Sequence, residues 1–166
     1  MQIFIFRHGE KENTFDLDPD LTSRGLLQAK QLANLVRGAK LPTPDVLMTS
    51  PKVRTQRSFQ ELSKETQIKI STSDLLLERH NNESRTEFRK RVTDLLTTIQ
   101  NSEAQCVFIC SHYDWALESM IVIPSDRDLT SPEFMHWHPL QFVGFRVQNG
   151  IFHFLKIGTC DPTSDM

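Results

Sequence analysis

No apolar run in this chain approaches the ~20 residues a membrane span requires, so no membrane-crossing segment is expected. Cysteine is scarce: Cys106, Cys110 and Cys160 are odd in number and lack zinc-like spacing, which argues against a disulfide framework or a structural metal. Cys106 and Cys110 fall in an apolar run and read as buried, reduced thiols. Charge of either sign is not in excess. A formal net charge of −2 and a pI near 6.3 give no general attraction to nucleic acid or to an anionic membrane. Any anion must therefore be held by a few placed cations. Internal repeats, low-complexity segments and linkers are missing too, so the 166 residues read as one domain, 1–166, long enough for a sizeable core. No signal peptide precedes the first strand, and a cytoplasmic location is expected.

What is present is organised around Gln2-Ile3-Phe4-Ile5-Phe6-Arg7-His8-Gly9-Glu10. Its consecutive Ile and Phe residues predict a strand buried on both faces, as in a parallel sheet covered by helices. Ligands of such sheets sit beyond the carboxyl ends of the strands, where Arg7 and His8 lie. Gly9 lets the backbone turn sharply or approach a ligand.

Lys11 to Asp20 reads as a loop. Thr22 is a natural cap for a helix carrying Leu26, Ala29, Leu32, Ala33 and Val36, which Gly38 ends. Asp45 to Thr49 is a short strand, and Ser50-Pro51 predicts a helix start, with the hydroxyl as cap and proline at the first helical position. Ile68 to Ile70 could add a strand. Ser84 and Glu87 form a capping box before the stripe Phe88, Val92, Leu95, Leu96 and Ile99. Cys106 to Cys110 is a second fully apolar strand, stopping at Ser111-His112, and a helix through Ala116 and Met120 follows. Pro124 to Pro139 reads as loop. Phe142–Val147 and Ile151–Ile157, joined by Gln148-Asn149-Gly150, form a hairpin. The tail from Cys160 to Met166 is expected to fray. Strands alternating with helices predict an α/β layered fold with a central, mostly parallel sheet flanked by helices.

The chemistry converges on one edge. Two buried strands end in His8 and His112. Arg54 lies one turn into the helix after Ser50-Pro51, whose N-terminus also offers N–H groups and a positive dipole end. Two arginines, two histidines and a helix start suit a doubly charged tetrahedral oxyanion such as phosphate.

At this point the sequence resembles the histidine phosphatase superfamily, the group that includes cofactor-dependent phosphoglycerate mutases. The matching stretches are Arg7-His8-Gly9-Glu10, Leu21-Thr22 with Gly25 and Gln28-Ala29, Ser50-Pro51 with Arg54 and Gln56, Leu77-Glu78-Arg79-His80, Glu83-Ser84 with Glu87-Phe88 and Arg91-Val92, and Ser111-His112. They follow the family's order over roughly residues 2 to 123. The resemblance implies a three-layer phosphoglycerate mutase-like fold and a phosphohistidine mechanism. His8 would attack phosphorus, Arg7, Arg54 and Gly9 would hold the phosphoryl oxygens, His112 would donate to them, and Glu78 would protonate the leaving group. It implies no cofactor and no metal, and a phosphorylated small molecule or phosphoprotein as partner.

Two departures from the family pattern matter. Tyr113, followed by Asp114 and Trp115, stands where the family usually has Gly after its second histidine, which would narrow the pocket or bring a negative charge near it. Glu78 and Glu83 are only five apart, so the lid insertion of the larger enzymes is missing and Glu83 competes for the role of acid. The open site this implies resembles that of the small phosphohistidine phosphatases. The rival readings are a mutase, a phosphoprotein or phosphate-ester binding module without turnover, and a metal hydrolase using His136 and His138. Arg57, Arg79 and His80 read as surface or supporting groups.

Overall fold

The first apolar run forms β1 (Gln2–Arg7), which lies inside a six-stranded sheet. A computed structural model describes residues 1–163. Beside β1 on one side runs β4 (Cys106–Ser111), parallel and in register from Gln2↔Cys106 to Arg7↔Ser111. Beyond β4 come β2 (Val46–Thr49) and β3 (Ile70–Thr72), also parallel. On the other side the hairpin β5 (Gln141–Gln148) and β6 (Ile151–Thr159) joins antiparallel, giving the order β3-β2-β4-β1-β5-β6.

Successive side chains of a strand point to opposite faces, and β1 is apolar on both. Ile3 and Ile5 join one core with Phe88, Val92, Leu95 and Leu96 of α3 (Arg85–Gln100) and Trp115 and Met120 of α4 (Tyr113–Val122). Phe4 and Phe6 join the opposite core with Ala29, Leu32 and Val36 of α1 (Ser23–Arg37) and Phe59 and Leu62 of α2 (Val53–Thr66). The architecture is thus the expected three-layer α/β fold, a mostly parallel sheet with helices on both faces. Aromatic rings dominate the second core. Phe6 stacks at 5.4 Å from both Phe59 and Phe142, and Phe4 lies 5.1 Å from Phe108.

Local chemistry explains most element ends. Thr22 accepts the Gly25 N–H at 3.0 Å and caps α1. Ser84 and Glu87 make the reciprocal capping box of α3. Three expectations need correction. Ser50 does not cap α2, which begins at Val53 after an uncapped Lys52. The Val53 N–H donates instead to the carboxylate of Asp18, 3.0 and 3.2 Å away in the 11–20 loop. Within 124–139, Pro132–Met135 forms one helical turn, α5, that buries Phe134. The tail is not frayed as far as it is described. Cys160 is buried and donates its N–H to the Leu140 carbonyl, and Asp161 pairs with Arg24 at 2.6 Å. Residues 164–166 of that expected fray lie outside the described residues. No helix among the described residues is long and apolar enough to cross a membrane.

The β1–β5 pair tolerates no side chain at Gly144, because a Cβ there would lie 2.3 Å from the Phe4 ring. Gly144→Ala must push Phe4 out of its rotamer or separate the strands. A loss of about 1–3 kcal/mol is expected, measured as a lowered urea midpoint with unchanged m-value.

Candidate active site

In-register pairing of β1 with β4 delivers His8 and His112 to the same sheet edge. The His8 N–H donates to the Ser111 carbonyl at 2.9 Å, and the two imidazole rings lie 5.5 Å apart, edge to face. Both are buried. His8 Nδ1 lies 2.7 Å from the Gly9 carbonyl. A carbonyl can only accept, so Nδ1 carries the hydrogen and Nε2 keeps its lone pair. Burial is the main force acting on this ring, and the nearby charges of His112, Arg54 and Arg7 add to it. Together they outweigh the Gly9 hydrogen bond and push the His8 pKa down to about 3. His8 is therefore an uncharged imidazole at neutral pH.

The turn after His8 is clamped from both helices on that face. The Gly9 N–H donates to Ser58 Oγ at 2.8 Å, and that hydroxyl donates to the Arg54 carbonyl at 2.7 Å. The Glu10 N–H donates to Gln28 Oε1 at 2.9 Å, and the Thr22 hydroxyl donates to the Glu10 carboxylate at 2.7 Å. Gly25 allows this approach, since a Cβ there would lie 2.2 Å from the Glu10 carbonyl oxygen.

Two guanidiniums face this edge. Arg54, on the first turn of α2, is only 6% exposed. Its Nη2 lies 3.1 Å from Glu78 Oε1 and 3.2 Å from His112 Nδ1, and its Nη1 lies 3.5 Å from Asp18. Arg7 donates from Nη1 to the Trp137 carbonyl, and its guanidinium lies 5.1 Å from the centre of the Tyr113 ring. Tyr113 thus stacks on Arg7. The Asp114 carboxylate accepts the backbone N–H groups of Arg79 and Trp115 at 2.8 Å each, so the charge is already engaged there. Among the described residues, the buried Nε atoms of Arg7 and Arg54 have no hydrogen-bond partner. Buried donors left unpaired are costly, and guanidiniums so placed suit an oxyanion.

Glu78, rather than Glu83, reaches this cluster. Its carboxylate meets His112 Nδ1 at 3.0 Å as well as Arg54, and the His112 hydrogen bond, aided by charge from His112 and Arg54, holds its pKa far below the usual carboxylate range despite partial burial. Glu83 is occupied elsewhere, with both oxygens 2.8 Å from the guanidinium of Arg91. Arg91 also donates to the carbonyls of Leu75, Leu77 and Glu78, fastening the segment that carries Glu78. Arg79 and His80 are exposed, and Arg57 pairs with Asp20 at 3.2 Å. His136 and His138 flank the buried Trp137 and are exposed. Among the described residues no three His, Cys, Asp or Glu side chains are grouped so as to hold a metal ion.

Sequence reasoning misses several contributors, Ser58 at Gly9 among them. The Trp137 carbonyl comes from a segment read as loop. The sequence reads Ser50 as a cap, yet its hydroxyl lies 2.9 Å from His112 Nε2. Asp18 occupies the helix start that the sequence offers to an anion. Nothing in the local sequence of Asp18 signals that contact.

Comparison with known proteins fits this geometry. Residues 3–82 match the sequence model of the histidine phosphatase superfamily (branch 1). No curated protein matches the chain. Among solved structures it is similar to the protein histidine phosphatase SixA complexed with tungstate, with a TM-score of 0.77 and 18% identity over 96% of this chain and 97% of that one. It is also similar to a phosphoserine phosphatase of Entamoeba histolytica (TM-score 0.72, 15% identity, 95% and 96% covered). An alpha-ribazole phosphatase of Shigella flexneri gives a TM-score of 0.72 at 16% identity over 96% and 97%. At such identities the structural likeness is one of fold. The chain is thus similar to the histidine phosphatases in sequence over residues 3–82 and in fold over nearly its whole length.

The burial of His8 has a consequence for stability. The unfolded chain takes up a proton on this residue below about pH 6.5, the folded chain only below about pH 3. Stability present above pH 6.5 is therefore lost as pH falls through that window, by at most about 1.4 kcal/mol per pH unit from this group. His8→Ala should flatten the slope, as read by urea unfolding between pH 4 and pH 7. An unchanged slope would show that the imidazole is not held neutral.

Proposed function

We propose that this protein is a cytoplasmic, metal-independent phosphatase that hydrolyses phosphate monoesters or phosphohistidine through a covalent intermediate on His8. The observation that carries this reading is the pair of buried, unpartnered guanidinium Nε donors of Arg7 and Arg54 around an imidazole whose Nε2 is free. Phosphoryl transfer asks the protein chiefly for positioning and for charge around three equatorial oxygens. Arg7, Arg54 and His112 supply that charge, with no cofactor, while the Gly9 N–H is held by Ser58 Oγ.

In this scheme the His8 Nε2 lone pair attacks phosphorus and the bond to the leaving group breaks, P–O in a monoester and P–N in phosphohistidine. Glu78, in its acid form, gives the departing oxygen or nitrogen a proton. The resulting carboxylate then takes a proton from water, which attacks phospho-His8 and releases inorganic phosphate and the free imidazole. In the resting site Glu78 is ionised, held by Arg54 and His112. A bound phosphoryl dianion competes for both partners and adds negative charge beside the carboxylate, and each effect raises its pKa. Substrate binding thus prepares the acid.

One observation favours the rival reading, a binding module without turnover: Glu78 is ionised before substrate arrives. Trapping decides between them. With a 32P-labelled phosphohistidine protein or with p-nitrophenyl phosphate, the protein should accumulate an acid-labile, alkali-stable phosphoenzyme and release phosphate. His8→Ala should abolish both while melting normally. Arg54→Ala should cost about 10²–10³-fold in turnover, and vanadate should inhibit. Tight binding of phosphorylated ligand with neither phosphoenzyme nor release would establish the module. The partner is a phosphorylated small molecule or a phosphoprotein. Relatives in fold that bear the names of protein histidine, phosphoserine and alpha-ribazole phosphatases support that range.

A further inference from the structure

Ser50 is fully buried at the end of β2, where its hydroxyl meets three groups. His112 Nε2 is 2.9 Å away, Thr55 Oγ1 2.8 Å, and the Lys52 N–H approaches at 3.3 Å. Counting protons restricts what this hydroxyl can do. Thr55 has one hydroxyl proton and faces two carbonyls, Ser50 O at 2.9 Å and Lys52 O at 2.8 Å. Ser50 O also accepts from Thr49 Oγ1 and Lys52 O from the Gln56 N–H, so the Thr55 proton can go to a carbonyl or to Ser50 Oγ. The single Ser50 proton then has two destinations, Thr55 Oγ1 or His112 Nε2.

The other face of the His112 ring is equally restricted. Nδ1 lies 3.0 Å from the Glu78 carboxylate and 3.2 Å from Arg54 Nη2. An ionised carboxylate only accepts and a guanidinium only donates. With a proton on Nδ1 directed at Glu78, a neutral ring needs a donor at Nε2, and a charged ring needs an acceptor there. Ser50 serves both states by turning its proton toward the ring or toward Thr55. The two histidines then share one tautomer but present opposite atoms to the site, His8 its Nε2 lone pair and His112 its Nδ1–H.

We propose that Ser50, backed by Thr55, is a positioning residue that holds the His112 ring at Nε2 so that its Nδ1–H, aligned by Glu78, faces the phosphoryl group. The inference rests on the phosphatase reading, which makes His112 a donor to phosphoryl oxygens, and deepens it. The orientation itself is testable without turnover.

The experiment is ring 15N NMR of the whole protein at pH 7.5, with the His112 signals assigned by their loss in His112→Gln. The unsubstituted protein should show His112 protonated at Nδ1. Ser50→Ala, a smaller residue that leaves the fold intact, should keep the Nδ1–H that Glu78 accepts but shift the Nε2 resonance to that of a lone pair with no donor. It should also lower kcat for p-nitrophenyl phosphate by about 10–100-fold, the size expected for the outer hydrogen-bond partner of a functional histidine, with KM changed less than about threefold. Thr55→Val keeps Ser50 free to donate to Nε2 and should leave the Nε2 resonance in place. An Nε2–H ring in the unsubstituted protein, or a Ser50→Ala ring and kcat indistinguishable from it, overturns the proposal. If Ser50→Ala shifts the Nε2 resonance while the unsubstituted protein has no turnover, the positioning stands and the phosphatase reading falls.

Discussion

Everything at the site depends on the parallel, in-register pairing of β1 with β4. Arg7 sits opposite Ser111, so His8 and His112 leave the sheet at the same level. A slip of one residue would turn every side chain of one strand to the opposite face. It would bury a polar end in one core and draw an aromatic ring out of the other. The register is therefore held by the whole hydrophobic set, with Ile3 and Ile5 on one side and Phe4 and Phe6 on the other. The placement of two imidazoles is a by-product of core packing, which is why a soft surface edge can carry rigid chemistry.

Around that edge the supporting bonds run to main chain more than to side chains. Ser58 ties Gly9 to the Arg54 carbonyl, Arg91 holds three carbonyls of the segment before Glu83, and Trp137 offers its carbonyl to Arg7. Backbone groups cannot change rotamer. Anchoring to them limits how far Arg7, Arg54 and Glu78 can drift, and it spreads the support over α2, α3 and the segment before β5.

The sheet was legible in the sequence because its signal is local and dense. Four consecutive buried residues, Ile3 to Phe6, announce β1, the run from Cys106 announces β4, and an Asn-Gly turn announces the hairpin. Four of the main site residues were legible for a related reason: Arg7, His8, Arg54 and His112 each follow closely on a strand end. Contacts between distant segments were hidden. Ser50-Pro51 has the composition of a helix start, but tertiary demand from His112 and Thr55 claims the hydroxyl, and the helix starts later. Cys160 and Asp161 look like the start of a loose tail until Leu140 and Arg24 are placed beside them. Glu78 and Glu83 could not be separated by spacing alone, because the choice depends on where Arg91 points.

Asp18 gives the site a property that its list of cations conceals. With its carboxylate on the first N–H of α2 and near Arg54, and with Glu78 on the same guanidinium, the resting cradle already carries its own counter-ions. In the proposed phosphatase an oxyanion entering there trades places with a resident carboxylate at Arg54, so charge alone discriminates little. Discrimination must then come from shape: a tetrahedral group offers a third oxygen above the plane to which a carboxylate is confined.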